Sequence, residues 1–225
     1  MPSTNQLGTA VDSPIVREAS QEELRVLGCL IEKQRTTPDA YPLSINALRA
    51  AANQSTNRDP VLELDELAVK DAAQALGKRG WARFTSGQGS RAAKYRQTFD
   101  EALGLGRDET AVLGVLMLRG PQTPGELKGR AERLHPFAGL DEVQGILDRL
   151  AERELVGALE RRPGQKEQRY RHRLGAEESD EAPRAAHGSP PHLGSPALDD
   201  RVEEIERQVS DLKRAVDALR AELGG

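Results

Sequence analysis

Apolar residues fall at helical spacing over most of residues 20–80. Ser20-Gln21-Glu22-Glu23 has the form of a capping box and opens a helix whose inner face carries Leu24, Leu27, Leu30 and Ile31. Thr36-Thr37-Pro38 interrupts it, and a second helix begins at Ser44-Ile45 and runs to about Asn53. A third spans Leu64–Gly80, with apolar positions at Leu64, Leu67, Val69, Ala73 and Leu76, and ends in Lys78-Arg79-Gly80. The period then changes to two. Trp81-Ala82-Arg83-Phe84 and Lys94-Tyr95-Arg96 read as strands around the turn Ser86-Gly87-Gln88-Gly89-Ser90. Helix, short extended piece, helix, helix and hairpin is the order of a winged helix.

The pattern recurs. Val26-Leu27-Gly28-Cys29-Leu30 matches Val112-Leu113-Gly114-Val115-Leu116 at an offset of 86, and Thr37-Pro38 matches Thr123-Pro124 at the same offset. Thr123-Pro124-Gly125-Glu126 forms another capping box, Leu140–Ala151 supplies a third helix, and Leu155–Arg161 with Gln168–Leu174 makes a hairpin around Pro163-Gly164. Tyr95-Arg96 returns as Tyr170-Arg171 at an offset of 75, so the shortening lies in the loops around the second and third helices. The expected class is mainly α with small β-hairpins. Its parts are an arm over 1–19 expected to be disordered, winged-helix domains over 20–100 and 101–174, a flexible acidic linker over 175–197, and a coiled-coil helix over 198–225.

The linker is rich in Pro, Gly, Ser, Ala and acidic residues, and as a flexible coil its ends would lie about 25 Å apart. The last segment is a heptad, with Val202, Val209, Val216 and Leu223 at a, and Leu198, Ile205, Leu212 and Leu219 at d. β-Branched a positions with leucine d positions favour a parallel pair, so these eight residues are the expected homodimer contact.

The motifs in hand resemble the YceH-type family of uncharacterised bacterial proteins. The likeness runs through Leu27-Gly28-Cys29-Leu30-Ile31-Glu32-Lys33-Gln34, Thr36-Thr37-Pro38, Tyr41-Pro42-Leu43 and Asn53-Gln54 with Thr56-Asn57-Arg58-Asp59-Pro60-Val61. It continues at Arg119-Gly120 with Gln122-Thr123-Pro124-Gly125-Glu126-Leu127 and into the terminal heptads. Ala52 stands where the family pattern leads one to expect cysteine. The resemblance implies two winged helices and a bacterial cytosolic setting, and carries no activity with it.

Charge sharpens the picture. Of 225 residues, 30% are charged and the formal net charge is −4. Residues 20–100 carry 12 Lys/Arg against 10 Asp/Glu and residues 101–174 carry 13 against 12, whereas 175–225 carry 6 against 12. The body is therefore slightly basic and the tail acidic. The single cysteine, Cys29, sits among leucines as a small core residue, and no apolar run is long enough to cross a bilayer. With no signal-peptide pattern, the expected location is the cytoplasm.

No enzyme pattern is present. Gly87-Gln88-Gly89-Ser90 lacks the spacing of a phosphate loop, Gly104-Leu105-Gly106 lacks the third glycine of a dinucleotide fingerprint, His135 and His172 are isolated, and His187 and His192 lie in the linker. The expectation is no catalytic residue, cofactor, metal or membrane partner.

The candidate chemistry is cationic. Arg169, Arg171 and Arg173 alternate with Tyr170, His172 and Leu174, Lys94 and Arg96 flank Tyr95, and Arg91, Arg161, Arg162 and Lys166 lie near the hairpin tips. Cations along a strand suit phosphates along a backbone. These residues, with Arg58 of the polar loop Asn53–Arg58, are the candidate DNA contacts. The third helices argue the other way: Asp65, Glu66, Lys70, Asp71, Gln74 and Lys78 on one, and Asp141, Glu142, Gln144, Asp148, Arg149 and Glu152 on the other, make neither exposed face basic. The sequence thus points to a regulator-like DNA-binding protein, with a protein–protein docking scaffold as the alternative.

Overall fold

A computed structural model describes residues 19–85, 93–161, 165 and 167–175. The arm before Ala19, both hairpin tips, most of the linker and the heptad lie outside the described residues, as do Arg91, Arg162, Lys166 and the eight dimer positions Leu198 to Leu223.

Helix α1 (Gln21–Thr36) starts where the capping box places it: the Ser20 hydroxyl accepts from the Glu23 N–H at 3.2 Å, and the Glu23 carboxylate accepts from the Ser20 N–H at 2.9 Å. A single 3-10 turn, Pro38–Ala40, follows, then strand β1 (Leu43–Ser44) and helix α2 (Ile45–Ala52), which Ser44 caps. Helix α3 (Glu66–Lys78) is capped by Asp65 and leads into β2 (Ala82–Thr85) and β3 (Lys94–Gln97). A short helix α4 (Phe99–Leu103), not foreshadowed by the periodicity, straddles the boundary expected at residue 100. Its Phe99 meets Trp81 edge-on, with centroids 5.2 Å apart.

The second half repeats the order with α5 (Arg107–Arg119), α6 (Pro124–Ala131), α7 (Leu140–Glu152), β4 (Val156–Ala158) and β5 (Tyr170–His172). Thr123 and Glu126 complete the capping box of α6. The chain is thus mainly helical with two small antiparallel sheets, one of order β1-β3-β2 and one of β4-β5. In the second half β1 has no strand counterpart, only a bridge from Gln122 to Tyr170.

Both halves share one continuous core, and its centre is the crossing of α1 and α5. Two glycines make that crossing possible. A Cβ on Gly28 would stand 2.8 Å from Leu118 Cγ and 3.3 Å from Met117 Cβ, while one on Gly114 would stand 2.9 Å from Ile31 Cγ2. Gly28 and Gly114 are equivalent by the offset of 86, and so are Ile31 and Met117. Each half's glycine therefore receives side chains of the other half's helix, with Met117 and Ile31 as the matching pair and Leu118 the additional, closer neighbour of Gly28.

The two ends of this unit also meet. Ala19 N–H donates to Leu174 O at 3.0 Å and pairs in parallel with Gly175, where a Cβ would crowd Ala19 O and Leu24 at 3.0 Å. One position expected in the core is elsewhere: Leu67 is 64% exposed, and Val69, Ala72, Ala73 and Leu76 carry the buried face of α3. Leu67 falls two residues before Val69, and a helix turns about 200° over that interval.

Candidate nucleic-acid interface

The first hairpin sorts its side chains by alternation. Antiparallel pairing sets Ala82 against Gln97, Arg83 against Arg96, Phe84 against Tyr95 and Thr85 against Lys94. Ala82, Tyr95 and Gln97 are buried, so Arg83, Thr85, Lys94 and Arg96 share the outward face. Arg83 is exposed, and it lies directly opposite Arg96. Like charges facing each other across a pair of strands are unfavourable. Arg96 Nη1 reaches Glu101 at 3.0 Å, an exposed pair of little strength that a phosphate could replace. Sequence reasoning missed Arg83; the alternation that marks Lys94 and Arg96 on one strand marks it on the other.

The second hairpin pairs Val156 with His172, Gly157 with Arg171, and Ala158 with Tyr170. Leu174 is fully buried and Tyr170 packs on the core. The His172 Nδ1 is closed off without a hydrogen-bond partner, and burial, with Arg171 nearby, pushes the imidazole down to about 4. The expected inward row is therefore real. The outward row is not uniformly available. Arg173 is exposed and lays its side chain across Gly157, where a Cβ would stand 3.2 Å from its Nε, and Arg171 is half-buried and makes an interaction of its own. Arg169 is a correction: its Nη2 donates to Pro121 O at 2.8 Å and meets Glu126 at 3.0 Å, so this half-buried arginine fastens the start of β5 to α6. Arg161, at the exposed edge, donates from Nε to Gln168 at 3.3 Å.

Arg58 is the second correction. It is 6% exposed. Its two terminal nitrogens grip both Glu32 oxygens at 3.2 and 2.7 Å, Nη2 also donates to Gln54, and Nε donates to Ala51 O at 3.1 Å. Burial works against its charge, yet Glu32 holds the guanidinium above its ordinary pKa, and in return the carboxyl of Glu32 is held below its own. A phosphate cannot displace this many partners. The rest of the loop is equally tied. The Asn53 amide spans to Leu64, donating to its carbonyl and accepting from its N–H, both at 2.8 Å, and Arg25 donates to Ala52 O and Pro60 O. Asp59 N–H donates to Leu118 O at 2.8 Å, and Arg119 donates to Asn57, so the loop fastens the first half to α5.

The motifs that carry this clamp, together with the glycine crossing, fall within one family match. A family model described as "Protein of unknown function, DUF480" covers residues 19–165. The chain belongs to that family. Proteins named "UPF0502 protein YceH" from Salmonella newport (strain SL254), Salmonella typhimurium (strain LT2) and Salmonella typhi are each 45% identical over 214 residues, spanning 92% of this chain and 98% of the relative.

The third helices of this DUF480 member keep the non-basic surface that their sequences imply. Glu66, Lys70, Asp71 and Lys78 on α3, with its cap Asp65, are exposed, and so are Asp141, Glu142, Asp148, Arg149 and Glu152 on α7. Arg149 and Arg153 are engaged with Asp108 and Glu109 at the start of α5. A cleft of about 350 Å³ between α1 and α3 is lined by Ser20, Glu22, Glu23, Asp71 and three alanines, a composition that repels anions. Cys29 is fully buried, and desolvation pushes its thiol up to about 11. Among the described residues no group of three or more His, Cys, Asp or Glu is placed to hold a metal ion, and no helix is long and apolar enough to cross a membrane.

Proposed function

We propose that this chain is a non-enzymatic, tandem winged-helix protein of the bacterial cytoplasm that binds DNA through the outward faces of its hairpins. The observation that carries the reading is Arg83 held opposite Arg96, with Lys94 beside them and, among the described residues, one exposed carboxylate, Glu101, as counter-charge. Placing two guanidiniums face to face costs stability, and an anion that spans both recovers it. Arg173 and Arg161 extend the same chemistry on the second hairpin. The third helices, whose exposed faces are not basic, support backbone contact by the hairpins over base reading by a helix in the major groove.

The test is a titration against mixed-sequence duplex DNA at several salt concentrations. With about four phosphates engaged, log K falls against log salt with a slope of about −3.6. Replacing Arg83, Lys94 and Arg96 together by alanine removes about 2.7 of that slope. Absence of binding at low salt overturns the reading. It would favour the second one, a protein docking platform, which rests on Leu67 standing 64% exposed among Asp65, Glu66 and Asp71.

The heptad at 198–225 supports dimerisation as part of the same proposal. Removing it should halve the mass in sedimentation, and an unchanged mass would refute it.

A further inference from the structure

Phe84 is 55% exposed, and nothing in the core requires it to be there. Its ring is held edge-on by Tyr95, with centroids 5.9 Å apart and planes at 76°. Tyr95 itself pairs with Leu43 on its other side, so Leu43, Tyr95 and Phe84 form one row in which burial stops at the last member. The row ends there because β2 is the outer strand of the order β1-β3-β2. Successive side chains on that strand point to opposite faces, so Arg83 flanks the open edge on one side and Phe84 on the other.

We infer that the β2 edge binds nucleic acid with unpaired bases, Arg83 meeting a phosphate and Phe84 stacking on a base of the same strand. This rests on the DNA-binding reading and narrows its ligand. A duplex lying on the Arg83–Arg96 face would leave Phe84 on the far side of the sheet, out of reach of any base. A lone strand can turn around the edge and touch both. Exposed aromatic rings beside cations are the usual means of holding single strands without sequence preference.

The experiment measures anisotropy of a labelled oligothymidylate and of a labelled mixed-sequence duplex of equal length, using the full chain and its variants. The wild type should bind the single strand more tightly. Phe84→Ala should weaken that binding roughly ten-fold with its salt slope unchanged, and leave duplex affinity alone. Phe84→Tyr should retain it, whereas Phe84→Leu, which keeps apolar area without a π-face, should not. Arg83→Ala should weaken both probes and lower both salt slopes by about 1. Because Phe84 is exposed, its variants should melt with the parent, as circular dichroism will show. If Arg83→Ala weakens the duplex while Phe84→Ala is silent on both probes, the stacking inference fails and DNA binding stands. Failure to bind either probe sinks both.

Discussion

In the first half a buried tyrosine, Tyr95, is paired on both sides, by Leu43 and by Phe84. Its counterpart in the second half, Tyr170, pairs with Ala158 and meets Gln122 by a bridge alone. The second half replaces the missing strand with side-chain ties. Arg169 reaches Glu126 and Pro121, and the Gln144 amide donates to the Tyr170 hydroxyl at 3.0 Å. For Lys94, which occupies the place of Arg169, no such tie to α2 is seen among the described residues. The cross-strand partners differ in the same sense: Arg83 faces Arg96, whereas Gly157 faces Arg171. Equivalent ribbons have thus taken different work. Where backbone pairing holds the sheet, the outward cations are not needed as fasteners: Arg83 is exposed, and Arg96 meets only the exposed Glu101 among the described ion pairs. Where it does not, one of them becomes a fastener. The first hairpin is accordingly the better candidate for a ligand surface, although the second is richer in arginine.

The sharpest way to separate the halves is Arg58→Ala, which should cost about 3 kcal/mol in a denaturant titration, because it leaves half-buried Glu32 with Lys33 in place of two guanidinium bonds and unpins the loop that bonds to α5. If that clamp joins the halves, the variant should also unfold with a broadened transition; a loss below about 1 kcal/mol would show that the loop is ornamental.

Next is the pH dependence of a histidine present in the second half alone, since the place of His172 is taken in the first by neutral Gln97. The imidazole titrates near 4 folded against 6.5 unfolded. Between those values the unfolded chain binds more protons, so stability should rise with pH across the window from 4 to 6.5, by at most about 3 kcal/mol. His172→Leu should flatten this segment of the stability profile. A profile that keeps its slope in the variant would assign the effect to other groups.

Gly28→Ala and Gly114→Ala test the reciprocity of the central crossing. Each puts a methyl within 3 Å of the opposing helix, and each should cost about 2 kcal/mol. A large difference between the two midpoints would break the two-fold comparison. Smallest of all, Arg169→Ala should lower stability by about 1 kcal/mol and leave any DNA affinity and salt slope unchanged, the reverse of Arg83→Ala. A fall in affinity with Arg169→Ala would return that arginine to the interface.

What was legible in the sequence is what short-range chemistry decides. Ser20 with Glu23 and Thr123 with Glu126 announce helix starts, because each partner lies within one turn of the other. The offset of 86 matches segments that take up the same order of helices in both halves, and alternation places Tyr95, His172 and Leu174 inward, because the pleat has a period of two. Tertiary structure alone decided which cations are spent. Arg58 looks like a loop arginine until Glu32, 26 residues away, is folded against it, and Arg169 looks like part of a row until α6 arrives beside it. The opposition of Arg83 to Arg96 depends on strand register, and the role of Gly28 on a helix from the other copy. Periodicity fixes the direction of a side chain relative to its own element; what it meets there depends on residues far away in the chain.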